Sequence, residues 1–173
     1  MKHIFVFDQS KCCACSACMM GCMDQNDPDL KAGDSCFRQT FDTELMEEDG
    51  SSYCAYLSAA CMHCTDAPCI DACPAGCLMK DPETGFTIYD NTNCIGCRSC
   101  AMACPFGAPK YRVSDGKMVK CDGCNERVKA GLKPACVRAC SFGALTCVTE
   151  EEYVKSGSTK ACNALLSSMK KEK

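Results

Sequence analysis

The stretch CIGCRSCAMACP, residues 94–105, sets four cysteines at the spacing C-x2-C-x2-C-x3-C and closes on a proline. Three thiols two residues apart in a tight loop can turn onto three corners of one small object. The fourth, Cys104, follows Cys100 by about one helical turn and so points down a helix, away from the other three. Such a run grips three corners of a centre and lends its last ligand elsewhere. It needs a second run to complete it.

The chain supplies three more. CMHCTDAPCIDACP, residues 61–74, carries Cys61, Cys64, Cys69 and Cys73 at C-x2-C-x4-C-x3-C-P. CCACSACMMGC, residues 12–22, carries Cys12, Cys15, Cys18 and Cys22. A looser fourth group joins CDGC (Cys121, Cys124) to CVRAC (Cys136, Cys140). Four groups of similar spacing make an internal repeat.

With 22 cysteines in 173 residues, the protein falls into one of three classes: a disulfide scaffold, a zinc protein or an iron–sulfur protein. The N-terminus, MKHIFVFDQSK, has an apolar run of only four residues, Ile4 to Phe7. That is too short for an export signal and points to a reducing compartment, where thiols persist as metal ligands. No apolar stretch approaches the ~18 residues of a membrane span. Four-cysteine zinc sites use two-plus-two ligands, which leaves the third cysteine of each tight run without a use. Only the fourth group, taken alone, could be read as a zinc ribbon. The exchange of fourth cysteines between runs is the ferredoxin solution for pairs of [4Fe–4S] clusters.

The formal charge of −3 counts thiols as neutral. Clusters on four thiolates add roughly −2 each when oxidised, so the loaded protein is acidic and poorly suited to nucleic acid. Aromatic residues make up 7% and there is no Trp, so bound metal has to supply much of the folding free energy.

Short strand-like runs flank the groups: HIFVFD before the first, GFTIYD before the third, KMVKC entering the fourth and GALTCVT leaving it. The expected local unit is a loop with three cysteines followed by a short helix with the fourth. EEDGSSY, residues 47–53, reads as a hairpin turn between two short strands. The fold class is therefore α+β.

The segments CMHCTDAPCIDACPAG, GFTIYDNTNCIGCRSCAMACPFGAPKYR and KCDGCNERVKAGLKPACVRAC resemble the four-cluster iron–sulfur subunit of the dimethyl sulfoxide reductase family, to which polysulfide and nitrate reductases and formate dehydrogenases have similar subunits. The resemblance covers roughly residues 3–150. It implies two ferredoxin-like modules: residues 1–30 with 110–150 for groups one and four, and 54–109 for groups two and three. Residues 31–53 would be an inserted hairpin and 151–173 a polar tail. It also implies a nested ligand pattern. Cys61, Cys64, Cys69 and Cys104 would hold one cluster, and Cys94, Cys97, Cys100 and Cys73 its neighbour. Cys12, Cys15, Cys18 and Cys140 would hold a third, and Cys121, Cys124, Cys136 and Cys22 the fourth. Some relatives carry an aromatic residue for one group-three cysteine; Cys97 and Cys100 stand here, so four [4Fe–4S] clusters are expected. The implied partners are a large molybdopterin or tungstopterin catalytic subunit and often a membrane anchor or further redox subunit. Location would be cytoplasmic, or exported and membrane-associated only through those partners.

The expected function is thus single-electron relay with no catalytic residues of its own. An accessory polyferredoxin of a hydrogenase or formate dehydrogenase system is the neighbouring alternative, and a zinc-stabilised interaction module is the alternative from another class. Cys13, Cys36, Cys54, Cys77, Cys147 and Cys162 are left over and read as small packing residues. Pro74 and Pro105 would end helical turns and shield cluster edges, and Gly96, Gly107, Gly123 and Gly143 would bring backbone N–H groups close to sulfur. His63 could donate a hydrogen bond to a cluster; His3 carries no reading. Met19, Met20, Met23, Met62 and Met102 read as an apolar seal. Lys110, Arg112, Lys117, Lys120, Arg127, Lys129, Lys133 and Arg138 read as a solvated basic face that offsets cluster charge.

Overall fold

Strand β1 (His3–Phe7) pairs antiparallel with β8 (Leu145–Thr149), in the register His3↔Thr149 to Phe7↔Leu145. The run before the first cysteine group and the run after the fourth are thereby one ribbon. The computed structural model describes residues 2–157. Three further two-stranded ribbons lie among them: β2 (Gln39–Met46) with β3 (Ser52–Ala59), β4 (Leu78–Lys80) with β5 (Thr87–Tyr89), and β6 (Lys110–Tyr111) with β7 (Met118–Val119). Helices α1 (Ala17–Asn26), α2 (Pro68–Asp71), α3 (Ser99–Ala103), α4 (Asn125–Lys129) and α5 (Ala135–Ala139) carry or adjoin the cysteine groups and complete the α+β architecture. Among the described residues none is long and apolar enough to cross a membrane.

The loop-then-helix unit is present with its ligands shifted by one. Cys18, Cys69, Cys100 and Cys136, the third of each group, sit inside helices and are buried. Cys73, Cys104 and Cys140 follow the last helical residue. The reason is length: α2, α3 and α5 have only four or five residues, so three intervening residues carry the fourth cysteine past the last turn. Only α1, with ten residues, keeps its fourth cysteine, Cys22, helical.

EEDGSSY turns where expected, with Glu47 N–H donating to Ser51 O at 2.8 Å. Its strands are longer than expected, eight residues each. The arm runs on to Ala59, past the 31–53 span, because cross-strand pairs such as Phe41↔Leu57 and Gln39↔Ala59 extend the ladder. Its base docks on the first group: Ser16 and Thr40 hydroxyls meet at 2.7 Å, and Ser58 Oγ lies 3.2 Å from Cys18 Sγ.

Helices α1 and α5 cross closely because Gly21 faces Ala135 and Ala139. A Cβ at position 21 would lie 2.9 Å from Ala139 Cβ and 3.1 Å from the Ala135 carbonyl oxygen. Helices α2 and α3 also pack against each other. The core is built largely from cysteine: Cys69, Cys77 and Cys100 with Ala67, Leu78 and Met118 form one cluster, and Cys18 and Cys136 with Leu145 another. The backbone is helical over 150–157; the rest of the expected tail, with Cys162, lies outside the described residues.

Candidate metal centre

One small cavity is lined by Cys61, Cys64 and Cys69 from group two and by Cys104 from group three. A second is lined by Cys94, Cys97 and Cys100 from group three and by Cys73 from group two. Each short helix ends by sending its last cysteine to the neighbouring loop. Pro105 edges the first cavity and Pro74 the second. Four cysteines around one space form a donor set that a multi-atom cluster fits.

Groups one and four come together along α1 and α5. Cys18 and Cys136 share a buried cluster against which Cys140 packs. Cys22 lies within electrostatic reach of Cys136 and Cys124, and Cys121 within reach of Cys22 and Cys61. Cys12 is half-buried and Cys15 exposed, both in the loop before α1.

The thiols are poor acids where they stand. Burial is the largest cause that pushes Cys22 up to about 12, and burial likewise raises Cys69, Cys100, Cys121, Cys124 and Cys136. Such thiols keep their protons until a metal displaces them, so cluster binding releases protons. Donors are in place for the thiolates that result. Backbone N–H groups of Cys77, Ala108, Met118 and Gly123 point at the sulfurs of Cys73, Cys104, Cys94 and Cys121, at 3.3, 3.5, 3.3 and 3.4 Å. Gly123 is held by more than its own φ of +77°: a Cβ there would meet Phe86 Cδ2 at 2.5 Å. Gly96, Gly107 and Gly143 share the left-handed backbone.

Two buried cations accompany the thiols. Arg38, 4% exposed, donates to Ser58 Oγ at 2.9 Å and draws down the Cys136 thiol against its burial. Lys120 is 1% exposed and edges the cavity of Cys61, Cys64, Cys69 and Cys104. Its ammonium donates to the carbonyls of Thr87 and Cys121. Lys120 therefore does not belong to a solvated face, as the clustering of basic residues around it suggested. In the run MVK the inward positions alternate, Met118 and Lys120 being buried. Lys133 and Arg138 are exposed, as a solvated face requires, but Lys110, Arg112, Lys117 and Arg127 are half-buried and the Lys129 ammonium pairs with buried Asp81.

His63 occupies the seam between groups two and four. It sits 3.7 Å from Cys121 Sγ through Nε2. Tyr111 brings its hydroxyl to 3.2 Å from Cys100 Sγ, and Arg98 lies over its ring at 5.3 Å. Tyr111, Arg38 and Ser58 carried no sequence signal. The apolar seal is only partial: Met20, Met62 and Met102 are exposed, although Met62 still borders the Cys61 cavity. Of the leftover cysteines, Cys13 and Cys54 are exposed, Cys36 and Cys147 half-buried, and Cys77 buried against the Cys73 cavity.

Comparison with known proteins gives an iron–sulfur family. A family model described as a 4Fe-4S dicluster domain matches residues 52–150. The B subunit of the anaerobic dimethyl sulfoxide reductase of Escherichia coli (strain K12) is 41% identical over 153 residues, covering 83% of this sequence and 72% of its own. The probable anaerobic dimethyl sulfoxide reductase subunit YnfG of the same strain is 39% identical, covering 95% and 82%. The iron–sulfur subunit of its nitrate-inducible formate dehydrogenase is 31% identical, covering 87% and 55%.

Proposed function

The protein belongs to the 4Fe-4S dicluster family of iron–sulfur electron-transfer subunits, and from that premise we propose that it relays single electrons through four [4Fe–4S] clusters between a molybdenum or tungsten bis-pterin catalytic subunit and an external donor or acceptor. Each cluster, when bound, accepts and gives up one electron. The protein's own part is to hold the clusters, exclude water and set their potentials.

The observation that carries the reading is the reciprocal exchange in the two cavities, three cysteines from one group and the fourth from the other. It supports two ferredoxin-like modules, residues 54–109 for groups two and three and residues 1–30 with 110–150 for groups one and four. In this reading the ligand sets are Cys61, Cys64, Cys69, Cys104; Cys94, Cys97, Cys100, Cys73; Cys12, Cys15, Cys18, Cys140; and Cys121, Cys124, Cys136, Cys22. The adjacency of Cys18 to Cys136 and of Cys22 to Cys124 supports the second pair. Substrate chemistry falls to the partner, and so does any attachment to a membrane.

Anaerobic expression of the protein with its neighbouring reading frames tests the proposal. A large molybdenum or tungsten protein should co-purify, and its substrate should reoxidise the reduced clusters; the sulfoxide named for the relatives is the first to try. The likeness to the formate dehydrogenase subunit favours formate as the second, with electrons entering instead of leaving. Recovery of a nickel-containing partner would move the protein to a hydrogenase system, and stoichiometric zinc without iron would end the reading.

A further inference from the structure

We propose that His63 is a positioning residue for electron transfer: it donates its Nε2–H to Cys121 Sγ and thereby raises the potential of the one cluster that Cys121 holds. The inference rests on the four-cluster reading above and adds to it a residue that ties the loop of group two to a ligand of group four.

The direction of the hydrogen bond follows from the other ring nitrogen. Nδ1 receives the backbone N–H of Thr87 at 3.0 Å. A backbone amide can only donate, so Nδ1 carries no proton and the neutral ring carries its proton on Nε2. Nε2 faces Cys121 Sγ at 3.7 Å, within the reach of a hydrogen bond to sulfur. Donation to a cluster sulfur stabilises the negative charge added on reduction and so shifts the potential upward.

The ring is held in this pose from several sides. It packs on Phe86, 4.7 Å between centroids, and on Phe5 at 5.8 Å. Phe86 is wholly buried and in turn fits only because position 123 is glycine. The backbone of His63 lies at φ +48°, a left-handed conformation a histidine adopts at some cost. Lys80 fixes it there, donating to the His63 carbonyl at 3.1 Å and to the Cys64 carbonyl beside it.

The sequence has two histidines, which makes isotope labelling nearly site-specific. The test uses the full-length protein with its clusters reconstituted and redox-titrated by EPR. In His63→Phe the aromatic packing survives and the donor is lost. One of four EPR signals should move to lower potential and three should stay. In His63→Gln, which keeps a donor, the same signal should move less. Pulsed EPR of wild type labelled with 15N-histidine should show a nitrogen coupling on that signal, absent in His63→Phe. The inference is overturned if His63→Phe assembles four clusters at unchanged potentials, or if all four shift alike. Should His63→Phe not assemble, absence of the 15N coupling in wild type overturns it equally. Fewer than four clusters in wild type would instead sink the four-cluster reading itself.

Discussion

Asp81 and Lys129 meet at 2.6 Å, joining the turn between β4 and β5 to the end of α4. The carboxylate is 3% exposed and also receives the N–H groups of Glu83 and Thr84 and the amide of Asn125. Asn125 accepts from Thr84 Oγ1 at 2.6 Å, which closes the network. It links the region of groups two and three to that of group four without passing through metal.

Burial opposes the Asp81 charge, but Lys129 and the surrounding donors outweigh it and hold the carboxyl far below its usual 3.8. A carboxyl depressed on folding stabilises the fold above its unfolded pKa, and that stability is lost as pH falls toward the folded one. Asp81→Asn should therefore cost about 2 kcal/mol near neutrality. Denaturant unfolding across a pH series checks this. The gap between variant and wild type should stay constant down to about pH 4 and close below it.

Tyr111→Phe removes the hydroxyl 3.2 Å from Cys100 Sγ and keeps the ring under Arg98. Burial first, and then the Cys100 sulfur, raise the Tyr111 phenol; Cys100 as a thiolate ligand has no proton to give, so the hydroxyl is then the donor. One EPR signal should fall in potential with full iron content, and it should differ from the signal that responds to His63.

Gly21→Ala places a methyl group 2.9 Å from Ala139 Cβ and against the Ala135 backbone. Helices α1 and α5 must separate, and they carry Cys18, Cys22 and Cys136. Iron should fall from about sixteen to about eight per protein molecule, with the clusters of groups two and three retained. Metal analysis with EPR distinguishes this from general unfolding.

Cys77 lines the same cavity as Cys73, Cys94, Cys97 and Cys100, and burial pushes its thiol up to about 11. If its role is packing, Cys77→Ala keeps all the iron and all four signals. Loss of one cluster in that variant would make it a ligand.

The cysteine spacing made the fold class legible because ligand geometry is local: a tight loop and one helical turn decide where each sulfur points. The strands beside the groups were legible as short apolar, β-branched runs such as HIFVFD and GALTCVT. Arg38 was not, because it reaches Ser58 and Cys136 across twenty and nearly a hundred residues without any periodic signal. Lys120 was hidden because it sits in sequence among other cations that reach solvent at least in part, although the alternation of Met118 and Lys120 held the correction. His63 was visible as a histidine between two ligands, but its partner Cys121 lies 58 residues away and only the fold supplies it.

Anaerobic iron, sulfide and zinc analysis of the purified protein, with EPR spin counting after full reduction, tests the four-cluster relay most directly. About sixteen iron and sixteen sulfide per molecule, with four one-electron centres, is the expected result. Iron near eight, or zinc in its place, would contradict it.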